Sequence, residues 1–139
     1  MSLRKWIATD KAPTTLLIRL VAGGVFLSEG IQKFLFAEAQ GAGRFKKIGL
    51  PYYDFLGPFV GTTEIICGFC ILIGLLTRLA AVPLIIIILV AIYSTKLPML
   101  DDGGVWKMLH ESRTDWAMLL CSIFLLIRGG GAFSVDKKL

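Results

Sequence analysis

Four apolar stretches, at about 14–36, 57–76, 79–97 and 113–128, occupy most of this 139-residue chain. A bilayer-crossing helix needs about 20 mostly apolar residues, and in lipid every backbone polar group must be satisfied within the segment. The pattern therefore predicts an all-α integral membrane four-helix bundle. Composition agrees, with 55% hydrophobic and 18% charged residues and a mean hydropathy of +0.74. A soluble domain of this size has too little interior for so much apolar side chain. The stretches leave no room for a second domain, so residues 1–139 read as one transmembrane domain. The first stretch is not read as a cleaved leader, because it is long and carries Arg19, Glu29 and Lys33.

Local signals place the helix ends. Gly57 and Pro58 read as an N-cap and first helical residue for the second span, since proline's missing N–H is harmless there. Pro83 falls near the first turn of the third span, and a tight turn around Thr77 and Arg78 makes the second and third spans an antiparallel hairpin. Ser112 and Asp115 have capping-box spacing, which starts the fourth helix at Arg113 and lets it run to Arg128 before Gly129, Gly130 and Gly131. Sixteen residues cover only ~24 Å, so the segment 105–109 is expected to lie along the interface and complete the span.

An even number of spans puts both termini on one side. That side carries Arg4, Lys5, Lys11, Arg19, Arg78, Arg128, Lys137 and Lys138. The other carries Lys33, Arg44, Lys46, Lys47, Lys96, Lys107 and Arg113. The small excess predicts cytoplasmic termini. The net charge of +5 is scattered over both faces, so it reads as contact with membrane lipid and gives no stripe for nucleic acid.

A carboxylate inside a span is costly and marks a functional site by default. Glu64 is such a residue. Counting inward along each helix puts Glu29 about 10 Å and Glu64 about 9 Å from the same membrane face, with Lys33 one turn above them as counter-ion. Arg19, Gly23, Phe26, Gly30 and Lys33 share one helical stripe, and Gly57, Gly61, Glu64 and Gly68 share another. Small residues at four-residue intervals let backbones approach, so the Glu64 stripe is expected to face a neighbouring helix. Two carboxylates at short range do not both ionise easily and could share a proton. The competing reading is structural: Glu29 and Lys33 pair along one helix, and Glu64 staples the bundle.

Cys67 and Cys70 spell C-x-x-C, with Cys121 on the fourth helix. A redox pair usually has its nucleophile at a helix N-terminus, whereas Cys67 lies more than two turns inside a span, which favours small packing residues over thiol exchange. His110, Glu111, Ser112, Arg113, Thr114 and Asp115 form the densest polar run outside the spans. With a single histidine and no recognised spacing it predicts no metal site. The expectation is that Arg113 and Asp115 cap the fourth helix, pair with the charges of the first, and close a polar pocket under the first and third loops.

Together these residues carry a resemblance. Phe26 to Lys33, then Gly43, Arg44 and Phe45, then Ile48 to Pro51, then Pro58 to Gly61 with Glu64, then Gly74 to Arg78, resemble the DoxX family of small four-helix membrane proteins. The run from His110 to Asp115 and the ending from Gly129 to Asp136 resemble one bacterial branch of it. Arg19, Lys33, Arg44, Glu64, Arg78 and Asp115 match the family's polar pattern, whereas the Cys67 and Cys70 pair is not part of it. The resemblance implies quinone-linked redox complexes, such as thiosulfate to quinone electron transfer or terminal oxidase subunits, and membrane responses to oxidative stress.

The sequence therefore poses two functions. In one, the bundle is a quinone-binding subunit of an oxidoreductase. Phe26, Phe34, Phe59, Tyr93 and Trp116 wall the ring, Arg19, Arg44 and Asp115 add polar contacts, and Glu64, Glu29 and Lys33 handle protons. No haem or flavin motif is present, so electrons come from a soluble donor or a partner subunit. In the other, it is a non-enzymatic small transporter or an assembly or scaffold factor. No inverted repeat is seen in so short a chain, so transport would call for a homo-oligomer.

Overall fold

A computed structural model describes residues 12–136. The terminal charges Arg4, Lys5, Lys11, Lys137 and Lys138 used in the topology argument lie outside the described residues. Seven helices follow in order: α1 (Thr15–Leu35), α2 (Ala37–Gln40), α3 (Ala42–Lys47), α4 (Tyr53–Ile73), α5 (Thr77–Ala91), α6 (Met99–Glu111) and α7 (Arg113–Arg128). A π-helical turn, Ile92–Lys96, extends α5. α1, α4 and the extended α5 are each long and apolar enough to cross a membrane. The sixteen-residue α7 completes the four-helix bundle, packing against α5.

Glycines set the tightest helix pair. A Cβ on Gly30 would sit 2.7 Å from the Gly61 carbonyl oxygen, and one on Gly68 would sit 3.0 Å from that of Gly23. The seven-residue repeats on α1 and α4 therefore meet as two glycine contacts, and the antiparallel backbones lie against each other over two turns. Gly57, expected on the same seam, meets α3 instead, where a Cβ would fall 2.6 Å from the Ala42 nitrogen. The core between the pairs is built from Ala22 and Phe26 of α1, Ile71 of α4, Ala81, Leu84 and Ile88 of α5, and Met118, Leu119 and Leu125 of α7.

Several boundaries differ from the sequence reading. α4 begins at Tyr53, so Gly57 is not its cap and Pro58 lies inside it. Phe55, on this extra turn, stacks its ring on that of Phe59, 5.4 Å away. α5 begins at Thr77, which places Pro83 in its second turn. The segment 105–109 belongs to α6, which breaks at Gly104 (φ 81°). α7 does start at Arg113, but without the expected capping box. Ser112 Oγ donates to the Met108 carbonyl at 2.6 Å and accepts from Trp116 Nε1 at 2.9 Å. Because α6 runs on to Glu111, the serine hydroxyl closes that helix by bonding back one turn, and is unavailable to open the next.

The end of the bundle that holds Arg19 is tied by the C-terminal segment. Arg19, 2% exposed, donates to the carbonyls of Gly130, Phe133 and Leu72. Asp136 accepts from the Leu76 and Thr77 amides at 2.7 and 2.9 Å. The carboxylate thus satisfies donors that every helix N-terminus leaves open, and caps α5 from a distant part of the chain.

Candidate functional site: a charged cavity at the loop end of the bundle

A cavity of about 650 Å³ opens at the other end, framed by α1, α4, α5 and α7 and roofed by the 36–52 segment. Its wall is mostly apolar, with Val25, Phe26, Leu56, Phe59, Val60, Ile87 and Met118 among the contributors. The first-loop residues Gln40, Arg44, Phe45, Ile48 and Leu50 cover it, because the two short helices fold that loop back over the bundle.

Two ion pairs line this space. Lys33 Nζ lies 2.7 Å from Glu64 Oε1, with both side chains largely buried. Glu64 is only 3% exposed. It stands eleven residues past the start of α4, about 16 Å along the axis and so deeper in its helix than counting from Pro58 implied. The glycine contacts at Gly30 and Gly61 bring the backbones close enough for Lys33 to reach it. At that distance the Lys33 ammonium is a direct, charge-assisted partner of the Glu64 carboxylate. Glu29, one turn back on α1, lines the same cavity. The second pair, Lys96 Nζ to Asp115 Oδ2 at 3.5 Å, joins the π turn to α7. Asp115 therefore pairs with α5, where a partner on α1 was expected, and Arg113 donates to the His110 carbonyl at 2.6 Å. That turn also presents Ser94 and Thr95 to the cavity. π turns often occur at functional positions, and here the wider turn sets three polar side chains on the site.

Of the residues singled out from sequence, Glu64, Glu29, Lys33, Arg44, Phe59 and Asp115 line one cavity. Arg19, Tyr93 and Trp116 do not. Arg19 shares a helix face with Lys33 but lies fourteen residues away, about 21 Å along α1, and is spent on the C-terminal segment. Tyr93, 75% exposed, follows Ile86 and Leu89 on the outward stripe of α5. Trp116 is held by Ser112 on the outer side of α7. Phe34, half exposed, packs near Gly61 outside the cavity.

Lys96, Ser94 and Thr95 were missed as site residues. The signal for them was a polar run closing an otherwise apolar helix, which reads equally well as a membrane boundary. Of the roof residues, Arg44 was singled out from sequence, Phe45, Ile48 and Leu50 entered only through the family resemblance, and Gln40 carried no signal. Cys67, Cys70 and Cys121 are unbridged and pack against the core. Among the described residues, no three His, Cys, Asp or Glu side chains are grouped to hold a metal ion.

This arrangement can hold a largely apolar molecule while offering it a cation, a carboxylate and hydroxyls. Comparison with known proteins places it. An uncharacterized membrane protein of Mycobacterium tuberculosis is 50% identical over 133 residues, covering 91% of this chain and 82% of its own length. A Bacillus subtilis protein named "Putative oxidoreductase CatD" is 30% identical over 122 residues, covering 88% of this chain and 84% of its own length. No solved structure matches. The DoxX family model matches residues 14–97, more than half of the chain and the part that supplies Glu29, Lys33, Arg44, Phe59 and Glu64. The chain is a membrane protein of the DoxX family.

Proposed function

We propose that the cavity binds a quinone and that the protein serves as a quinone-linked redox subunit. The observation that supports this most directly is the Lys33 to Glu64 ion pair facing a mostly apolar space of about 650 Å³. Ligand cavities typically measure about 300–1,000 Å³, with apolar walls and a few convergent polar groups. An ionised carboxylate has about four acceptor sites, so Glu64 can accept from a further donor beside Lys33, which suits a ligand that carries hydroxyl groups in its reduced form.

A bound quinone supplies an acceptor for two electrons and two protons. The chain's own residues do the rest. Phe26, Phe59 and Val60 would hold the ring and exclude water, and Lys33 would supply a hydrogen-bond donor to it. The carboxylates of Glu64 and Glu29 hold and pass protons. The Lys96 to Asp115 pair and Glu111 continue the polar lining toward the loop face. Electrons come from a soluble donor or a partner subunit, in keeping with the oxidoreductase name of the Bacillus subtilis relative. The protein lies in the bacterial plasma membrane with its termini and the Arg19 end cytoplasmic, which puts the cavity in the outer half.

Extraction of protein purified in native lipid should yield stoichiometric quinone, identified by mass, and Glu64→Gln should lower the retained amount at least fivefold. Quinone-free protein, together with unchanged cellular quinol oxidation in the Glu64→Gln strain, would instead indicate a small transporter or an assembly or scaffold factor.

A further inference from the structure

The cavity wall and the outer surface of the bundle share residues at one seam. Phe59 of α4 and Ile86 and Val90 of α5 all line the cavity, yet they are 54%, 56% and 47% exposed. On α5 the two isoleucine and valine positions are continuous with Val82, Leu89 and Tyr93, the exposed stripe that faces lipid. On α4, Phe59 continues the exposed stripe through Thr62, Ile66 and Phe69. The two helices are tied at the turn that joins them. They pack far less extensively than α1 and α4, whose glycine contacts hold them together along the seam. Where the cavity lies, α4 and α5 both contribute exposed apolar residues to its wall.

We infer that this seam is a lateral portal, through which the ligand enters from the bilayer and out of which its apolar tail extends. The ligand class is a membrane-dissolved amphiphile with a small polar ring at Lys33 and Glu64 and a hydrocarbon or prenyl chain between Phe59, Ile86 and Val90. The inference rests on the quinone reading and deepens it, since it specifies a long-tailed lipid quinone rather than a water-soluble ring compound. The chemistry of the seam matches that of its occupant. Its three exposed residues are all apolar, and every charged residue lining the cavity lies on α1, α3, inner α4, the end of the π turn, the end of α6 or α7. Burying the tail against both the seam and the acyl chains leaves no polar group exposed to lipid.

The test compares a benzoquinone carrying a decyl chain with the same ring lacking it, titrated into protein in phosphatidylcholine nanodiscs. Affinities are read as variant-to-wild-type ratios, so that partition of the tailed compound into the bilayer cancels. Val90→Trp fills the portal and should weaken the tailed quinone at least tenfold while changing the tailless ring less than twofold. Val82→Trp, on the same lipid-facing stripe but outside the cavity lining, should leave both within twofold, showing that bulk at the seam and not bulk anywhere on the stripe is responsible. Equal weakening of both rings by Val90→Trp, or no effect on either, would overturn the portal while leaving quinone binding intact. Failure of wild-type protein to bind either ring would overturn the quinone reading itself, and the portal assignment with it.

Discussion

At the residue scale, Glu64 is the most demanding feature of the molecule. A carboxylate 3% exposed at mid-span persists because Lys33 stands 2.7 Å away. Breaking a buried pair by removing one partner leaves an uncompensated charge and costs about 3–5 kcal/mol, whereas replacing both partners by apolar residues is often neutral or stabilising. Lys33→Ala should accordingly lower the thermal unfolding midpoint markedly, and the double variant Lys33→Met with Glu64→Leu should recover most of that loss while failing to retain quinone. Differential scanning fluorimetry in nanodiscs separates these. If single and double variants melted alike, the two side chains would not be energetically coupled. The pairing of Lys33 with Glu64 was legible from helical spacing and depth. The place of Arg19 was misread, because a shared stripe fixes direction around a helix while only the rise per residue fixes depth.

At the element scale, the four long helices followed from apolar length, and the contact of α1 with α4 followed from glycine. Gly30 and Gly24 make a matched comparison on α1. A Cβ at Gly30 would meet the backbone of α4, with the Gly61 oxygen at 2.7 Å and the Ile65 nitrogen at 2.9 Å, whereas one at Gly24 would meet nothing within 4 Å. Gly30→Ala should therefore push the two helices apart, at a cost of about 1–3 kcal/mol typical of overpacking. Gly24→Ala should be neutral or stabilise by up to ~1 kcal/mol through helix propensity. Steric-trap or chemical denaturation in mixed micelles measures both. Equal effects at the two positions would remove the glycine seam as the organiser of the α1 and α4 pair. The early start of α4 was not legible, since Gly57 and Pro58 together make a plausible helix start, and only the tertiary contact of Gly57 with α3 shows otherwise.

At the scale of the whole molecule, the two ends differ in kind. One end is sealed by backbone-directed bonds from Arg19 and Asp136, and the other is hollow and lined by ion pairs. With cytoplasmic termini, Lys47 lies outside the cell and Arg128 inside. In protein whose native cysteines are replaced by alanine, Lys47→Cys should react with a membrane-impermeant maleimide in intact cells, and Arg128→Cys only after disruption. The opposite pattern would invert the assigned orientation and put the cavity on the cytoplasmic side. The sequence alone determined that this is a helical membrane protein and that Lys33 lies within reach of Glu64, because lipid imposes length and polarity rules that act residue by residue. The roof over the cavity, the π turn that brings Lys96 to Asp115 and the clasp of Asp136 on α5 were decided only by tertiary structure. Each depends on polar groups far apart in the chain finding one another, and no local period or spacing encodes such a meeting.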